Sequence, residues 1–377
     1  MKILYISEFF YEVNGANKLS MMHYNTLLEM FGEENVITVS LTGGQNIKNS
    51  NYINFQSYSS KIGKLLNFLQ MNNSRINNYI IKEIGRIIET EKIETVFVDN
   101  STYGKLVKYI KDKYKDLNVI SFYHDIKRNL AKQWLNEFGF KFLPDYFVTI
   151  YNEWLNAKYS DKNITLNKRE SELFFKYYKK NPDLELPIYM KESNKIKDIS
   201  CNEKEFSILF VGAYYYPNVQ GIKWFCKNVM SKLNQNYKLY IVGKGMEVLR
   251  SSLEGNNVNV VGEVEDLSYY YNFSNVVIAP IFDGAGMKVK TAEAFMFGKN
   301  FIGSSESLVG YLDNIDPAIL NKKIYLANTA DEYLNAIKYL FDNKSEYRNS
   351  EDIRNLYRNN YSDISAFNKL KTIINCN

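Results

Sequence analysis

Apolar runs and amphipathic stretches alternate along the first half of the chain. Short apolar runs predict strands at residues 2–7, 36–40, 95–98 and 119–123, and helical periodicity predicts helices at residues 16–31, about 62–90 and 106–114. Such βαβα alternation is typical of a parallel sheet covered by helices. The runs VFV and VISF are apolar throughout, as expected of strands that are buried on both faces.

The pattern restarts after residues 191–205, a polar and charged stretch (KESNKIKDISCNEKE) that predicts a linker. Strands are predicted at residues 206–211, 239–242, 258–261 and 276–280 and from residue 301, with helices at residues 217–233, 288–297 and, in succession, 331–377. The predicted fold is α/β, with two tandem Rossmann-like, doubly wound domains, a cleft between them and C-terminal helices. The predicted domains are residues 1–195 and 206–355, and a helix at residues 356–377 is predicted to pack back toward the N-terminal domain.

Composition narrows the classes of function. With 377 residues, 45% of them hydrophobic, the chain is long enough for two globular domains. Its net charge of +5 is too small for a dedicated nucleic-acid binder, whereas an ordinary solvated surface and attraction to anionic substrates or lipid both stay open. Three cysteines without a CxxC pair, two histidines and no convincing D-x-D motif disfavour a metal site.

The N-terminal residues MKILYISEFF enter a strand pattern without the arrangement of a signal peptide. No window approaches ~18 consecutive apolar residues, the length that a membrane-spanning helix needs. The sparse, odd number of cysteines fits a reducing compartment. We therefore predict a cytoplasmic protein, and peripheral association with the inner face of the cell membrane stays open.

In open α/β sheets, ligands bind beyond the carboxyl ends of the strands, and the richest strand end is residues 278–298 (IAPIFDGAGMKVKTAEAFMFG). A strand there runs into a glycine-rich loop that opens a helix, an arrangement that favours phosphate binding. Lys288 and Lys290 lie in the first turn, where they oppose the helix dipole, so their presence indicates function. Glu293 can accept hydrogen bonds from a ribose diol. From the residues alone, an ordinary loop with surface lysines is equally consistent.

The segment GAGMKVKTAEAFMFGK resembles the donor-binding loop of one branch of the family 4 glycosyltransferases, which carry a pattern like GxGxKxKxxEAxxxGK and have the GT-B architecture. FVGAYYYPNVQGIKWF (residues 210–225), YIVGKG (240–245) and GEVEDL (262–267) are similar to further segments of that branch, in the same order. The resemblance covers most of residues 206–310. It implies a retaining hexosyltransferase that uses a nucleotide-diphosphate sugar and no metal or other cofactor. The implied acceptor is a saccharide, a lipid-linked sugar or a protein, in biosynthesis of a bacterial surface polysaccharide such as capsule.

By that resemblance, residues 284–288 hold the donor diphosphate and Glu293 the ribose. The implied donor-binding residues are Gly15, Gly212, Gly243, Gly284, Ala285, Gly286, Met287, Lys288, Lys290 and Glu293. The chain also departs from the family pattern. The first glutamate of the E-x7-E motif falls at Ala285, and the usual arginine and lysine after the FVG glycine are replaced by Ala213 and by Val219-Gln220. Lys288 and Lys290 are the natural replacements for that cationic pair.

His124 ends the strand at residues 119–123, and members of the family often have a histidine at this place. Imidazole can hydrogen-bond a sugar hydroxyl or manage a proton near neutral pH. His124, Lys288 and Glu293 are therefore the predicted catalytic residues. A structural alternative for His124 is a cap on the next helix, and His23, inside a helical pattern, is predicted to be structural or at the surface.

Two further strand-end loops and the residue after His124 supply candidates for the acceptor side: Asn14, Asp99, Ser101 and Asp125. Ser101 could equally cap the helix that follows. In ITLNKRESELF (residues 164–174) a helix start is predicted, with Asn167 and Glu170 arranged like a capping box; Arg169 could still face the cleft.

Two rival functions are weighed against the transferase. A non-hydrolysing nucleotide-sugar 2-epimerase would need several carboxylates and histidines, and the chain has two histidines. A degenerate transferase that only scaffolds an active partner stays open, because the first glutamate of the motif is absent. No Walker loop is present and no GxGxxG follows the first strand, which disfavours a nicotinamide-binding protein.

Overall fold

The computed structural model describes residues 1–8, 15–41, 51–56, 61–197, 205–255, 257–284, 286–344 and 350–374. The chain divides into two compact units, residues 1–187 with 366–377, and residues 188–365. Part of the predicted linker, residues 198–204, lies outside the described residues.

The first unit is a parallel sheet with helices. Its described strands are β1 (Ile3–Ser7), β2 (Val36–Ser40), β3 (Tyr52–Asn54), β4 (Thr95–Val98), β5 (Asn118–Tyr123), β6 (Lys162–Thr165) and β7 (Leu184–Glu185). Its described helices are α1 (Gly15–Phe31), α2 (Lys61–Leu69), α3 (Asn78–Glu91), α4 (Gly104–Lys113), α5 (Lys127–Phe138), α6 (Leu143–Tyr159) and α7 (Lys168–Tyr178). The strands pair in the order β3-β2-β1-β4-β5-β6-β7. Every residue of β1 and β4 is buried, which explains why their sequences are mostly apolar.

The second unit repeats this plan. Its described strands are β8 (Phe206–Val211), β9 (Tyr237–Val242), β10 (Val258–Gly262), β11 (Val276–Ala279), β12 (Asn300–Gly303) and β13 (Ile324–Leu326). The described helices from here on are α8 (Tyr216–Asn228), α9 (Arg250–Leu253), α10 (Ser268–Phe273), α11 (Val289–Met296), α12 (Ala330–Asp342), α13 (Glu351–Asn360) and α14 (Asp363–Ile374), of which α14 belongs to the first unit from Ala366 onward. The strands pair in parallel in the order β10-β9-β8-β11-β12-β13.

Two helix predictions were wrong in their extent. The single amphipathic segment at about residues 62–90 is two helices, α2 and α3, because Met71 has a left-handed backbone (φ 55°) and the Asn77 side chain caps α3 by accepting from Ile80 N at 2.9 Å. The helix predicted at residues 217–233 ends as α8 at Asn228, and a separate 3₁₀ turn follows at Met230–Lys232.

Both sheets have the same connectivity. Counted within each unit, the first six strands lie in the order 3-2-1-4-5-6, so the predicted pair of doubly wound, Rossmann-like sheets is confirmed. The chain reverses direction across the sheet between β1 and β4 and again between β8 and β11. Helices leave opposite faces there and a crevice opens at the carboxyl ends of the strands, which is where such sheets bind ligands. Among the described residues, no helix is long and apolar enough to cross a membrane.

Candidate functional site

In the first unit, the crevice position is occupied by a buried carboxylate. Asp99 directly follows β4 and is fully buried. Its Oδ2 accepts from the Tyr5 hydroxyl at 2.7 Å, and its Oδ1 lies 3.1 Å from His23 Nδ1 and 2.9 Å from His124 Nε2. Residues from β1, α1, β4 and β5 thus meet at one carboxyl group.

The surroundings of Asp99 keep it ionised. Burial alone would raise the pKa of this carboxyl, but the charges and hydrogen bonds of His124 and His23 outweigh burial and hold the pKa well below its usual range. Burial lowers the pKa of His23, and Asp99 only partly opposes that change. Burial, with Asp99 adding to it, raises the pKa of the Tyr5 hydroxyl. The centre is therefore an anion that holds the His124 ring in one orientation.

His124 itself lies at the edge of this buried centre. It follows β5, its side chain is 7% exposed, and its ring packs edge-on against Phe122 with centroids 4.8 Å apart. The next residue, Asp125, forms an ion pair with Lys127 (3.1 Å). Burial acts to raise the pKa of Asp125. The charge and hydrogen bond of Lys127, together with the charge of His124, oppose burial more strongly, so the pKa lies below its usual value.

The turn that carries His124 and Asp125 is held by two carboxylates that sequence reasoning did not place there. Glu153 of α6 accepts from the backbone N–H groups of Lys127 (2.7 Å) and Arg128 (2.9 Å) at the start of α5. Glu170 of α7 accepts from Ile126 N at 2.8 Å. Both carboxylates are buried. They satisfy backbone donors that the start of a helix leaves without partners.

This use of Glu170 corrects the expected capping box in part. Asn167 caps α7 as predicted, accepting from Glu170 N at 3.1 Å, but the Glu170 side chain bonds to Ile126 instead of reaching back to Asn167. Arg169 donates to Glu170 Oε1 at 3.1 Å.

The remaining acceptor-side candidates have different positions. Ser101 is 2% exposed, and the N-cap of α4 is Tyr103, so Ser101 does not cap that helix. Asn14 lies outside the described residues, and Gly15 is the first residue of α1. Buried Asp99 and Ser101 do not face solvent; Asp125, 23% exposed, does in part.

In the second unit, a lysine occupies the crevice position. Gly212 follows β8, and Lys290 lies in the first turn of α11. Lys290 Nζ donates to Asn218 Oδ1 at 2.7 Å and lies 4.4 Å from the centre of the Phe210 ring. A Cβ atom at Gly212 would come within 2.9 Å of Lys290 Nζ, so a glycine leaves the ammonium room at the strand end.

Gly243, directly after β9, packs against the backbone of Gly212. Its backbone has φ +145°, and a Cβ would lie 2.1 Å from the carbonyl oxygen of Gly212. Only glycine accommodates both constraints.

The charge of Lys290 depends on its surroundings. Burial lowers the pKa of the ammonium to about 7; the Glu293 carboxylate acts to raise it and Lys288 to lower it. Lys290 is therefore only partly protonated at neutral pH and gains charge readily when an anion approaches.

Lys288 is held on the glycine-rich loop. Its Nζ donates to Gly286 O and to Glu306 Oε1, each at 2.8 Å, and its backbone oxygen accepts from the Tyr311 hydroxyl at 2.8 Å. Gly284 (φ +132°) and Gly286 (φ +67°) take conformations that favour glycine. Ala285 lies outside the described residues, and Met287 is buried.

Glu293 is on the second turn of α11 and is half-buried. Its Oε2 accepts from the Tyr271 hydroxyl at 3.0 Å, and the Tyr271 ring stacks on Phe297 at 4.8 Å. Sequence reasoning missed both Tyr271 and Glu306, whose partners are fixed only by the fold.

The described site residues therefore form two groups, one in each unit. Around the crevice of the second sheet it gathers the strand-end and loop glycines with the α11 side chains: Gly212, Gly243, Gly284, Gly286, Lys288, Lys290 and Glu293. His124, Asp99 and Asp125 are gathered at the crevice of the first sheet. Among the described residues, no group of three or more His, Cys, Asp or Glu side chains could hold a metal ion.

Comparison with known proteins identifies the second unit. Residues 205–343 match the family model of glycosyl transferases group 1. A 44.6 kDa protein in the cps region of Klebsiella pneumoniae is 27% identical over 164 residues, which are 39% of this chain and 42% of that relative. The chain thus spans less than half of this relative's length.

Solved structures extend the similarity in fold to the whole chain. The lipopolysaccharide outer core galactosyltransferase WaaB has a TM-score of 0.70 at 14% identity, covering 99% of both chains. WaaG, a glycosyltransferase of lipopolysaccharide biosynthesis, has a TM-score of 0.65 at 16% identity, and the match covers 100% of both chains. HepE of Anabaena, in complex with UDP and glucose, has a TM-score of 0.65 at 10% identity, and that match also covers 100% of both chains. The expected group 1 glycosyltransferase domain and enzyme class are confirmed. Membership of family 4 and the donor-loop motif stay predictions.

Proposed function

We propose that this glycosyltransferase is a retaining enzyme that moves a sugar from a nucleotide-diphosphate sugar to a saccharide, lipid-linked or protein acceptor during synthesis of a bacterial surface polysaccharide. The observation that carries the proposal is the position of Lys290 Nζ beside Gly212 at the crevice of the second sheet. The UDP bound by HepE and the lipopolysaccharide role of WaaB and WaaG support the donor class and the context.

Lys288 and Lys290 take the place of the cationic pair that the sequence lacks after Gly212. Lys290 Nζ lies beside Gly212 at the end of β8, and Lys288 is held on the glycine-rich loop before α11. Gly212, Gly284 and Gly286 carry no side chains that would keep a diphosphate away from the backbone. Glu293 binds the ribose hydroxyls; a carboxylate has about four acceptor positions, so its bond to Tyr271 leaves capacity for a diol.

In the proposed reaction, the bond between the sugar C1 and the β-phosphate oxygen breaks and the nucleoside diphosphate leaves. The acceptor oxygen bonds to C1 from the same face, and its proton passes to the departing phosphate oxygen, so no protein base is required. The lysines stabilise the negative charge that grows on the diphosphate. His124, oriented by Asp99, hydrogen-bonds the donor sugar.

The site needs no metal or other cofactor for these steps, because the two ammonium groups supply the positive charge that a divalent ion supplies elsewhere. The proposed location is cytoplasmic, where nucleotide sugars are used, and nucleic acid is not a proposed partner.

One observation favours a second candidate function. Ala285 stands where the first glutamate of the family motif would be, so the chain could bind a donor without transferring its sugar and act as a scaffold for an active transferase.

A thermal-shift panel of UDP, GDP, CMP, ADP, dTDP and NAD tests the donor site. A ligand at a hundredfold excess over its dissociation constant stabilises the protein by ~2.7 kcal/mol. We expect one nucleoside diphosphate to shift the wild type, Lys288→Ala and Lys290→Ala to lose most of that shift, and Lys338→Ala, an exposed lysine on α12, to keep it.

The responding nucleotide sugar is then offered to the protein alone. Release of free sugar or nucleoside diphosphate supports the transferase, whereas binding without turnover favours the scaffold. No shift with any nucleotide would remove the donor-site proposal.

A further inference from the structure

Helix α2 presents its apolar side to solvent. Ile62, Leu65, Leu66 and Leu69 follow the i, i+3, i+4, i+7 spacing of one helix face, and they are 74, 56, 48 and 66% exposed. Asn67 on the opposite face is 3% exposed. The helix thus packs on the first unit through the face that carries Asn67 and exposes its apolar face. Burial of apolar surface would favour the opposite orientation.

A second exposed stripe lies on the neighbouring helix α6, which packs against α2. Phe147, Tyr151 and Trp154 are spaced four and three residues apart, so they share one face, and all three are exposed. The Asn152 side chain donates to Met71 O at 2.9 Å, which fixes the end of α2 against the middle of α6.

Trp134 of α5 and Phe140 in the turn between α5 and α6 are also exposed. Nine of the 21 large apolar side chains that are exposed among the described residues therefore lie in α2 and in residues 127–159. Such concentration exceeds the scattered apolar exposure of an ordinary surface.

The same segments are basic. Residues 61–69 and 127–159 contain seven Lys or Arg and three Asp or Glu, a net charge of +4. One of those acidic residues, Glu153, is buried. Lys158 Nζ lies 4.8 Å from the centre of the Trp154 ring, so a cation and an aromatic side chain share the face.

We propose that this face, formed by α2, α5, α6 and the turn at Gly139–Phe142, docks onto an anionic lipid bilayer. The inference rests on the proposed function, because docking onto the bilayer would bring the enzyme to a lipid-linked acceptor.

The chemistry favours a bilayer over a second copy of the chain. The centres of protein–protein interfaces are depleted in lysine, whereas here the exposed stripe of α6 carries Lys158 against Trp154. Trp and Tyr prefer the boundary between lipid headgroups and acyl chains, and long lysine side chains reach from apolar surroundings to anionic headgroups. An amphipathic helix lying in that boundary buries its apolar face and keeps its charges wet.

Flotation with vesicles of equal parts phosphatidylglycerol and phosphatidylcholine tests the proposal on the full chain, without nucleotide. Ile62→Glu is compared with Ile364→Glu, since Ile364 in the second unit is 70% exposed and undergoes the same change of residue. Burial of one large apolar side chain contributes ~1.5–3 kcal/mol, so we expect Ile62→Glu to weaken vesicle binding about tenfold or more and Ile364→Glu to bind like wild type.

Salt and fluorescence give further readouts. Raising the salt to about 1 M, where the Debye length is ~3 Å, should release most of the wild type, and vesicles of phosphatidylcholine alone should bind it weakly. Tryptophan emission should shift to the blue on vesicle binding, with a smaller shift in Trp154→Phe.

Failure of wild type to float with anionic vesicles at low salt would overturn the proposal. So would equal loss in both glutamate variants, or a wild-type dimer in the absence of lipid that Ile62→Glu converts to a monomer, since that result assigns the face to a second copy. The nucleotide shift is measured on the same samples. A retained shift without vesicle binding rejects only the membrane face, and vesicle binding without a shift rejects only the donor site.

Discussion

Asp99 and the glycine-rich loop before α11 occupy equivalent places, because β4 and β11 are each the fourth strand of their unit. After β4 the structure has a buried carboxylate bonded to two imidazoles and a phenol. After β11 it has two lysines, one of them bonded to an amide oxygen beside Gly212. One connectivity thus supports a cluster built on a carboxylate in one sheet and a cluster built on lysines in the other.

The difference teaches that strand order sets where a site forms but not its chemistry. In the first sheet, the carboxylate is enclosed, so in the proposed reaction Asp99 is a positioning residue that acts through His124. In the second sheet, Gly284 is exposed and Lys290 Nζ lies at the strand end beside Gly212, where the proposed diphosphate would meet them.

The largest effect is expected from Asp99→Asn. The change keeps the shape of the side chain but removes the charge that His23, His124 and Tyr5 surround. Breaking a buried charged network by removing one partner destabilises by ~3–5 kcal/mol. Chemical denaturation followed by a probe in the first unit should show this loss.

The matched control is Asp112→Asn, which removes an exposed carboxylate paired with Lys108 and should change stability by less than ~0.5 kcal/mol. Because the folded-state pKa of Asp99 is depressed, its contribution is present above the unfolded-state pKa of ~3.9 and is lost as the pH falls toward the folded-state value. The gap between wild type and Asp99→Asn should therefore narrow in acid; a constant gap, or none at neutral pH, would contradict the network.

The next effect concerns the lysine cluster of the second sheet, where Lys290 should make nucleotide affinity depend on pH. Its pKa in the ligand-free protein is about 7, and a bound diphosphate raises it, so binding takes up a proton above neutral pH. Nucleotide affinity should fall as the pH rises above 7, by at most about tenfold per pH unit, or ~1.4 kcal/mol. Calorimetry in buffers of different ionisation enthalpy should record the proton uptake.

Lys290→Arg is the control, since arginine stays protonated throughout this range. Its nucleotide affinity should be flatter with pH and its proton uptake smaller. A pH dependence that survives unchanged in Lys290→Arg would contradict its assignment to the Lys290 ammonium.

How far the sequence predicted these two centres follows from distance along the chain. The strand–loop–helix segment that carries Gly284, Gly286, Lys288 and Glu293 was predictable because its pattern is local in the sequence. The carboxylate centre was not, because Tyr5 and His23 reach Asp99 from 94 and 76 residues away.

The same limit applies within the second unit. Glu306 and Tyr271 contact Lys288 and Glu293 from 18 and 22 residues away, each from a different element. The burial of His23 and of Glu153 could not be predicted from the sequence either. A polar residue in an amphipathic pattern does not indicate which hydrogen-bond partner the fold will bring to it.

The smallest effect concerns the ribose. If Glu293 binds the ribose diol, wild type should prefer the nucleoside diphosphate found in the panel over its 2′-deoxy form, by ~1 kcal/mol, the net worth of one hydrogen bond. Glu293→Ala should abolish that preference, whereas Tyr271→Phe, which removes only the hydroxyl that bonds Glu293 Oε2, should reduce it. A double-mutant cycle between the 2′-hydroxyl and Glu293 isolates the contact from general loss of affinity. An unchanged preference in Glu293→Ala would mean that the ribose is held elsewhere, and the second crevice would then be only a diphosphate site.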